Sequence, residues 1–485
     1  MTKTIVEQLA DFTIDTTYES LPADVVNESK RIVIDSLGCA LAGIQEEKSI
    51  AGLEFARLIG ASSRDATVIG YDERMSPIGA AFANGEAINA LDMDAVLPPG
   101  HVTPYVLPPI LSVGESLGRS GKEVLTNIAM AHEVSNRMGK AMDYLRDIKE
   151  GKVNTPKVIG YSATVFPAAA SIARLRGLSR ESIADAIGIA GSISPVNSHR
   201  AWVEHTPSTT IKYLHAGVLT QSAFTASYMA EFGHRGDRQM LDDAEFGFGR
   251  FIGSTRWEKS AIVDRLGEVW NFPKESSYKP YPHCRILHAL LDALTEIVET
   301  NDIQPHEIER IHAWVEGICE KPIWWNRRIE RVTDAQFSIA HGLSVGAHRI
   351  KPGKEWQDPK VVFSPSVLQL MDKIEHIVHP HYVELLQSNG ASRPAYIEVY
   401  ARGQKFVGER RYPRGSNNVP EPGIALSNDE LIAKFRYNAD GVIPAANIDA
   451  IVDAVMNLEQ VDDIGSLMRL NAPCRAVAPQ ARAAE

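Results

Sequence analysis

The chain has 485 residues, 44% of them hydrophobic and 23% charged, and a formal net charge of −11. That length exceeds one ordinary core and fits two domains, or one large helical domain carrying an insertion, and the unexceptional composition excludes a disordered or fibrous class. With no Lys/Arg run, the negative balance argues against nucleic acid or anionic lipid as partner, so an anionic ligand has to be captured locally.

The first eight residues lack the basic-then-apolar order of a signal peptide, and no apolar stretch approaches the ~18 residues of a membrane span. A cytoplasmic location is therefore expected. From Leu21 to Gly43, Pro22 marks a helix start, Val26, Ile32, Val33, Leu37 and Leu41 follow at helical spacing, and Gly43 is the stop. The same periodicity predicts helices over 77–91, 104–117, 122–141, 164–178, 182–192 and 211–232, so the first half reads as helix packed on helix. Small residues such as Ala168, Ala169, Ala216 and Gly217 let such helices approach closely.

After about Phe272 the texture changes. Ile311, Ala313 and Val315 alternate with polar or aromatic neighbours, as do Ile397, Val399 and Ala401 ahead of a Gly403-Gln404 turn and Lys405-Phe406-Val407. With helices over 287–300 and 335–347 among these strands, the stretch reads as a smaller α+β domain inserted late in the chain. Helices near 429–435 and 446–457 then rejoin the first domain. The expected class is mainly α, with an all-helical domain over 1–271 plus 410–485 and an α+β domain over 272–409.

Cys39, Cys284, Cys319 and Cys474 are scattered without a C-x-x-C, which disfavours a zinc knuckle, an Fe–S cluster or a disulfide framework and suits a reducing compartment. The string Gly247-Phe248-Gly249-Arg250-Phe251-Ile252-Gly253 has the wrong last spacing for a dinucleotide fingerprint and follows no strand. No P-loop, G-x-S-x-G or H-E-x-x-H occurs.

Three polar clusters at helix entrances remain. In Asp92-Met93-Asp94-Ala95-Val96-Leu97-Pro98-Pro99-Gly100-His101, two acids and a histidine sit on a Pro/Gly loop before a helix, whose positive end disfavours imidazolium. Taken alone, His101 reads more readily as an ordinary loop histidine. In Ser208 to Gly217, Lys212 falls in a first helical turn, an unfavourable place unless something negative is beside it. A substrate carboxylate would relieve that conflict, with His215 on the same face, although an exposed lysine on a frayed helix start reads equally well. In Tyr278 to His288, two prolines force an extended approach to a helix that starts near Cys284. Cys284 and His288 would be half a metal site, but no second pair completes it.

Taken in order, these segments resemble the MmgE/PrpD family, whose members include 2-methylcitrate dehydratase, cis-aconitate decarboxylase and iminodisuccinate epimerase. The resemblance runs through Asp35-Ser36-Leu37-Gly38, Ala80 to Gly85 leading to Leu91-Asp92-Met93-Asp94, and His101 with Leu107-Pro108. It continues through Glu133 to Gly139, Lys212 to Gly217, Lys279 to His288, Ala335 to Ser338 and Lys434-Phe435. It implies a large all-helical domain made from both chain ends, a smaller α+β lid domain, a site between them, and a homodimer. It also implies chemistry on a small di- or tricarboxylic acid without metal or organic cofactor, with Asp92, His101, Lys212 and Lys279 as active-site residues and Cys284 as another pocket residue. Against the common pattern, Asn89 and Ser162 stand where histidines are usual, Ala95 replaces a second acid, the loop to His101 is shortened, and His341 stands where tyrosine is common.

Such chemistry needs a base beside the carbon next to a carboxylate and a stabiliser of the enediolate that forms. His101, oriented by Asp92, is the candidate base. Lys212 and Lys279 would neutralise carboxylates, with Cys284, Ser162 and His215 as further substrate contacts. His341, or Ser162 through a water, could deliver a proton. A lyase is expected, a hydro-lyase foremost, with decarboxylation, epimerisation or a catalytically silent acid-binding protein as alternatives.

Overall fold

The computed structural model describes residues 2–473 other than 145, 155, 158–159 and 196–198, so Cys474 lies outside the described residues. The fold is mainly α, as expected. Numbering only helices of nine or more residues, the first half contains α1 (Ile5–Asp15), α2 (Ala23–Gly43), α3 (Glu47–Ile59), α4 (Pro77–Asn89), α5 (Thr103–Ser116), α6 (Gly121–Ala141), α7 (Val165–Leu175), α8 (Arg180–Ile193) and α9 (His215–Glu231). No described helix is long and apolar enough to cross a membrane.

The cause of each start is local. Thr4 and Glu7 form a capping box on α1, Ser120 and Glu123 one on α6, and Pro77 opens α4 at the turn where a missing N–H is harmless. Helix α9 begins later than the periodicity predicts. Ile211–Leu214 form a 3-10 turn and the α-helix proper starts at His215, so Lys212 lies just ahead of the helix.

Helix α2 is buried along nearly its whole length. Close approach explains its glycines. A Cβ on Gly38 would come within 3.0 Å of Phe435 Cα, and one on Gly43 within 2.3 Å of the Ala87 carbonyl oxygen. Phe435 belongs to α12 (Asn428–Ala439), which with α13 (Ala445–Met456) returns to pack in the same hydrophobic core as α1, α2 and α4–α9, so the two chain ends share one core. A buried ion pair fixes this closure: Lys434 Nζ lies 2.6 Å from Asp35 Oδ1 and donates to the Met93 carbonyl at 2.9 Å.

A second core gathers Trp202, Val203 and Tyr213 with side chains from 281–401. It includes α10 (His288–Thr300), α11 (Ile339–Ala347) and a four-stranded sheet ordered β4-β3-β1-β2, with β1 (Ile308–Val315), β2 (Ile374–Val378), β3 (Ala395–Ala401) and β4 (Gln404–Arg410). Strands β1 and β2 are parallel and the other pairings antiparallel. The alternating residues Ile311, Ala313 and Val315 face inward as their spacing predicts. The β3–β4 turn is centred on Arg402 and Gly403, both at positive φ (53° and 66°), one residue earlier than the sequence suggests. Strand β2 escapes the pattern because His376, a polar residue, takes an inward position there.

One buried group makes a testable point about this packing. Glu86 on α4 accepts a hydrogen bond from the Gly217 N–H of α9 at 2.7 Å, yet burial outweighs that bond and pushes its carboxyl up to about 8. A carboxyl raised on folding contributes stability that is fully present below its unfolded value and lost as pH rises toward its folded value. Glu86→Gln escapes that loss. Its stability relative to the parent should therefore grow between pH 5 and 8 by about 1.4 kcal/mol per pH unit. Urea denaturation of both proteins across that range checks it, and a difference independent of pH would refute it.

Candidate active site

The site is built where α4 ends. After Asn89 the chain turns through Asp92, whose φ of 52° is a left-handed conformation that aspartate tolerates better than most residues. It then runs into a two-residue hairpin, Val96–Leu97 paired with Gly100–His101, that delivers His101 two residues ahead of α5. Glycine is required at position 100, opposite Leu97, because a Cβ there would come within 2.5 Å of the Tyr161 ring. The 3-10 turn before α9 brings in Lys212, and the extended segment before α10 brings in Lys279.

These four side chains converge on one atom. Asp92 Oδ1 is ion-paired with Lys212, lies 3.1 Å from Lys279 Nζ and lies 3.1 Å from His101 Nε2. Lys279 also donates to the Asp92 backbone carbonyl at 2.8 Å. The other oxygen, Asp92 Oδ2, is buried without a hydrogen-bond partner. Asp92 and Lys279 are 1% exposed, Lys212 3% and His101 5%, so these charges act with little screening by water.

Burial alone would raise Asp92, but Lys212, Lys279 and the His101 hydrogen bond hold its carboxyl well below the usual carboxylate range. Asp94, also buried, is lowered chiefly by His101. Lys279 is pushed down by burial against the opposing pull of Asp92. The unfavourable placement of Lys212 ahead of a helix is thus relieved inside the protein itself, with Asp92 as the anion.

His101 is held differently from the sequence reading. Asp94 Oδ2 accepts from Nδ1 at 2.7 Å, and Asn89 Nδ2 donates to Asp94 Oδ1 at 2.9 Å while lying 3.2 Å from the same ring nitrogen. Asp94 with Asn89 therefore fixes the ring from one side, while Asp92 faces Nε2 on the side of the lysines. The asparagine at position 89 is part of this network.

Other expected residues are spread more widely. Cys284 and His283 adjoin the cluster: burial and then Asp92 push the Cys284 thiol up, and burial pushes His283 down to about 4 against the pull of Asp92. His215 is pushed to about 4 by burial and the nearby Lys212. Ser162 donates to the Pro195 carbonyl at 2.6 Å, and His341 Nε2 lies 3.0 Å from the Val362 carbonyl. Both polar groups are thus engaged by backbone rather than by Asp92, His101 or the lysines. The half metal site dissolves, since His288 Nε2 is 3.0 Å from the His283 carbonyl and Nδ1 is 3.1 Å from Arg285 Nη1.

Three further contributors lie outside the site residues expected from the sequence. Tyr161 stands edge-on to His101 with ring centroids 5.9 Å apart. Tyr213 lies under both Lys212 and Lys48, whose nitrogens are 4.9 and 4.0 Å from its ring centre. Gln336 accepts from Lys48 at 2.8 Å and donates to the Ala90 carbonyl at 3.1 Å, tying the 335–338 segment to the loop that carries Asp92.

Asp92, Asp94 and His101 offer three ligand atoms within 4.8 Å of one another. A cation among them would meet the ammonium groups of Lys212 and Lys279 at the same Asp92 oxygen, so the donor set fits a metal poorly. It fits a small anion better, with two cations and a histidine held ready.

Comparison with known proteins covers nearly the whole chain. The MmgE/PrpD N-terminal domain model matches residues 7–259 and the C-terminal domain model residues 281–459. Similar proteins include cis-aconitate decarboxylase of Homo sapiens, 23% identical over 97% of this chain and 95% of that protein, and of Mus musculus, 24% identical over 97% and 94%. Cis-aconitate decarboxylase of Aspergillus terreus is 23% identical, with 94% of each chain covered. With both domain models matched, the chain belongs to the MmgE/PrpD family.

Proposed function

We propose that this protein is a lyase acting on a small di- or tricarboxylic acid, with loss of water as the leading outcome. The observation that carries the reading is the convergence of Lys212, Lys279 and His101 on one buried carboxylate oxygen. Two ammonium groups so placed can exchange part of their bond to Asp92 for a substrate carboxylate and stabilise the enediolate that forms when a neighbouring carbon loses its proton. His101 Nε2 takes that proton, and Asp94 on Nδ1 balances the charge that appears on the ring. The partnerless Asp92 Oδ2 suits a substrate hydroxyl as donor, which supports a hydroxy acid; the proton that His101 has taken then passes to that hydroxyl, which leaves as water while the carbon–carbon double bond forms.

A second reading, loss of carbon dioxide, is supported by the names of the similar proteins. It uses the same lysines to hold the carbanion and replaces proton abstraction by carbon–carbon cleavage. The proposal also reads 272–409 as a lid. That segment contributes Lys279 to a cluster otherwise drawn from the remainder of the chain, so its movement would open the sealed site and rebuild it around substrate. A cytoplasmic homodimer without metal or organic cofactor, and without nucleic acid as partner, completes the proposal.

The test is product analysis on a panel of hydroxy di- and tricarboxylic acids and their unsaturated counterparts. A product lighter by water supports the first reading. A product lighter by carbon dioxide supports the second. Binding without turnover across the panel would leave only an acid-binding protein.

A further inference from the structure

A cavity of about 290 Å³ is lined by Arg146, Arg285 and Arg393, with Val96 and Leu97 of the hairpin that carries His101 forming part of its wall. One buried carboxylate serves two of these guanidiniums. Glu316, whose side chain is 1% exposed, accepts from Arg393 Nη1 at 2.8 Å with both oxygens and lies 3.6 Å from Arg146 Nη2. Arg285 spends its bonds on uncharged acceptors, the carbonyls of Arg414 and Pro413 and the hydroxyl of Ser416. Asp292 attracts it, but its own oxygens accept from the Arg414 N–H and Tyr281 hydroxyl, and Glu275 at the rim is paired with Lys140. The Nε atoms of Arg146 and Arg285 are buried without partners. Positive charge therefore exceeds negative here, in a chain whose net charge is −11.

We infer that this chamber is an anion-binding site separate from the Asp92 cluster, taking a carboxylate or phosphate group on Arg393 with Arg146 and Arg285 beside it. Its charge and shape carry the inference whatever reaction the Asp92 cluster performs. Its position gives it a route to the chemistry, because Val96 in its wall is the strand partner of His101.

The experiment is calorimetric titration of the full chain with inorganic phosphate and with propane-1,2,3-tricarboxylate. Arg393→Gln should weaken phosphate binding by about tenfold or more, and Glu316→Gln, which removes the competing carboxylate, should tighten it. A merely structural pair would give the opposite pattern: both variants would lose thermal stability and neither would change affinity, which overturns the inference. Lys212→Met should leave phosphate affinity intact. Loss of phosphate binding in that variant places the anion in the Asp92 cluster and overturns the inference while leaving the lyase reading standing. If the tricarboxylate competes with phosphate and weakens with Arg393→Gln, the site holds a carboxylate of the acid itself. If tricarboxylate affinity ignores Arg393, it holds a separate phosphate-bearing ligand. Should Arg393→Gln fail to fold, Glu316→Gln carries the decision, and absence of any phosphate binding in the parent protein overturns the inference.

Discussion

Replacing His101 by asparagine is expected to lower kcat by about three orders of magnitude on whichever acid the protein turns over, with the fold intact. The ring is the group at the cluster that can take and return a proton between the two lysines and Asp94. Asparagine keeps an N–H for Asp94, whose oxygen is 2.7 Å from Nδ1, but has no basic nitrogen to face Asp92. The ion pairs of Asp92 with Lys212 and Lys279 remain, so substrate affinity should change far less than turnover. Steady-state kinetics with circular dichroism as the fold check decides it. Turnover within about tenfold of the parent would remove His101 from the chemistry.

Asp92→Asn should produce the largest loss of stability. The substitution keeps the side-chain shape and the tolerance for a φ of 52°, so charge is what changes. Two buried ammonium groups would then face each other without their common counter-ion, and removing one partner of a buried pair costs about 3–5 kcal/mol. Burial already pushes Lys279 down, and Asp92 is the first influence opposing it. A lysine whose folded value is depressed binds fewer protons folded than unfolded, so the variant should regain stability as pH rises from 7 toward 9, more steeply than the parent. Adding Lys212→Met to Asp92→Asn should also restore part of the loss, because the repelling pair is gone. If the single variant is as stable as the parent at pH 7, the two ammonium groups are not balanced by Asp92 in the way described.

The residues at the heart of the site were legible before any coordinates mainly through the family resemblance. Local rules set up a conflict at Lys212, in a first helical turn, and at His101, on a Pro/Gly loop before a helix, but left an ordinary reading open for each. The partners that settle those conflicts were harder to see. Asp94 and Asn89 hold His101 through bonds across a tight loop, and neither spacing nor composition says which of two acids reaches which ring nitrogen. Tyr161 and Tyr213 enter from separate segments as aromatic walls, and a lone tyrosine gives no chemical signal. Ser162 and His341 illustrate the reverse case, since their alignment to family positions does not reveal that backbone carbonyls already engage them.

The fold follows the same division. Helices with a sustained apolar stripe, such as α2 and α6, were evident from periodicity, and their ends follow proline or a capping box. Strand β2 was hidden by the inward His376, and the start of α9 was masked by an apolar run that continues through a 3-10 turn. Lys434 pairing with Asp35 across 399 residues of sequence is a tertiary fact that no local pattern contains.

The central claim is that the Asp92 cluster makes and stabilises a carbanion next to a carboxylate, and proton NMR of the acid panel in deuterated buffer tests it most directly. The account predicts that at least one acid is converted with deuterium exchanged at the carbon beside a carboxylate, or incorporated there in the product, and that His101→Asn abolishes the incorporation. Unchanged spectra for every acid that demonstrably binds, or deuterium uptake that survives in His101→Asn, would contradict it.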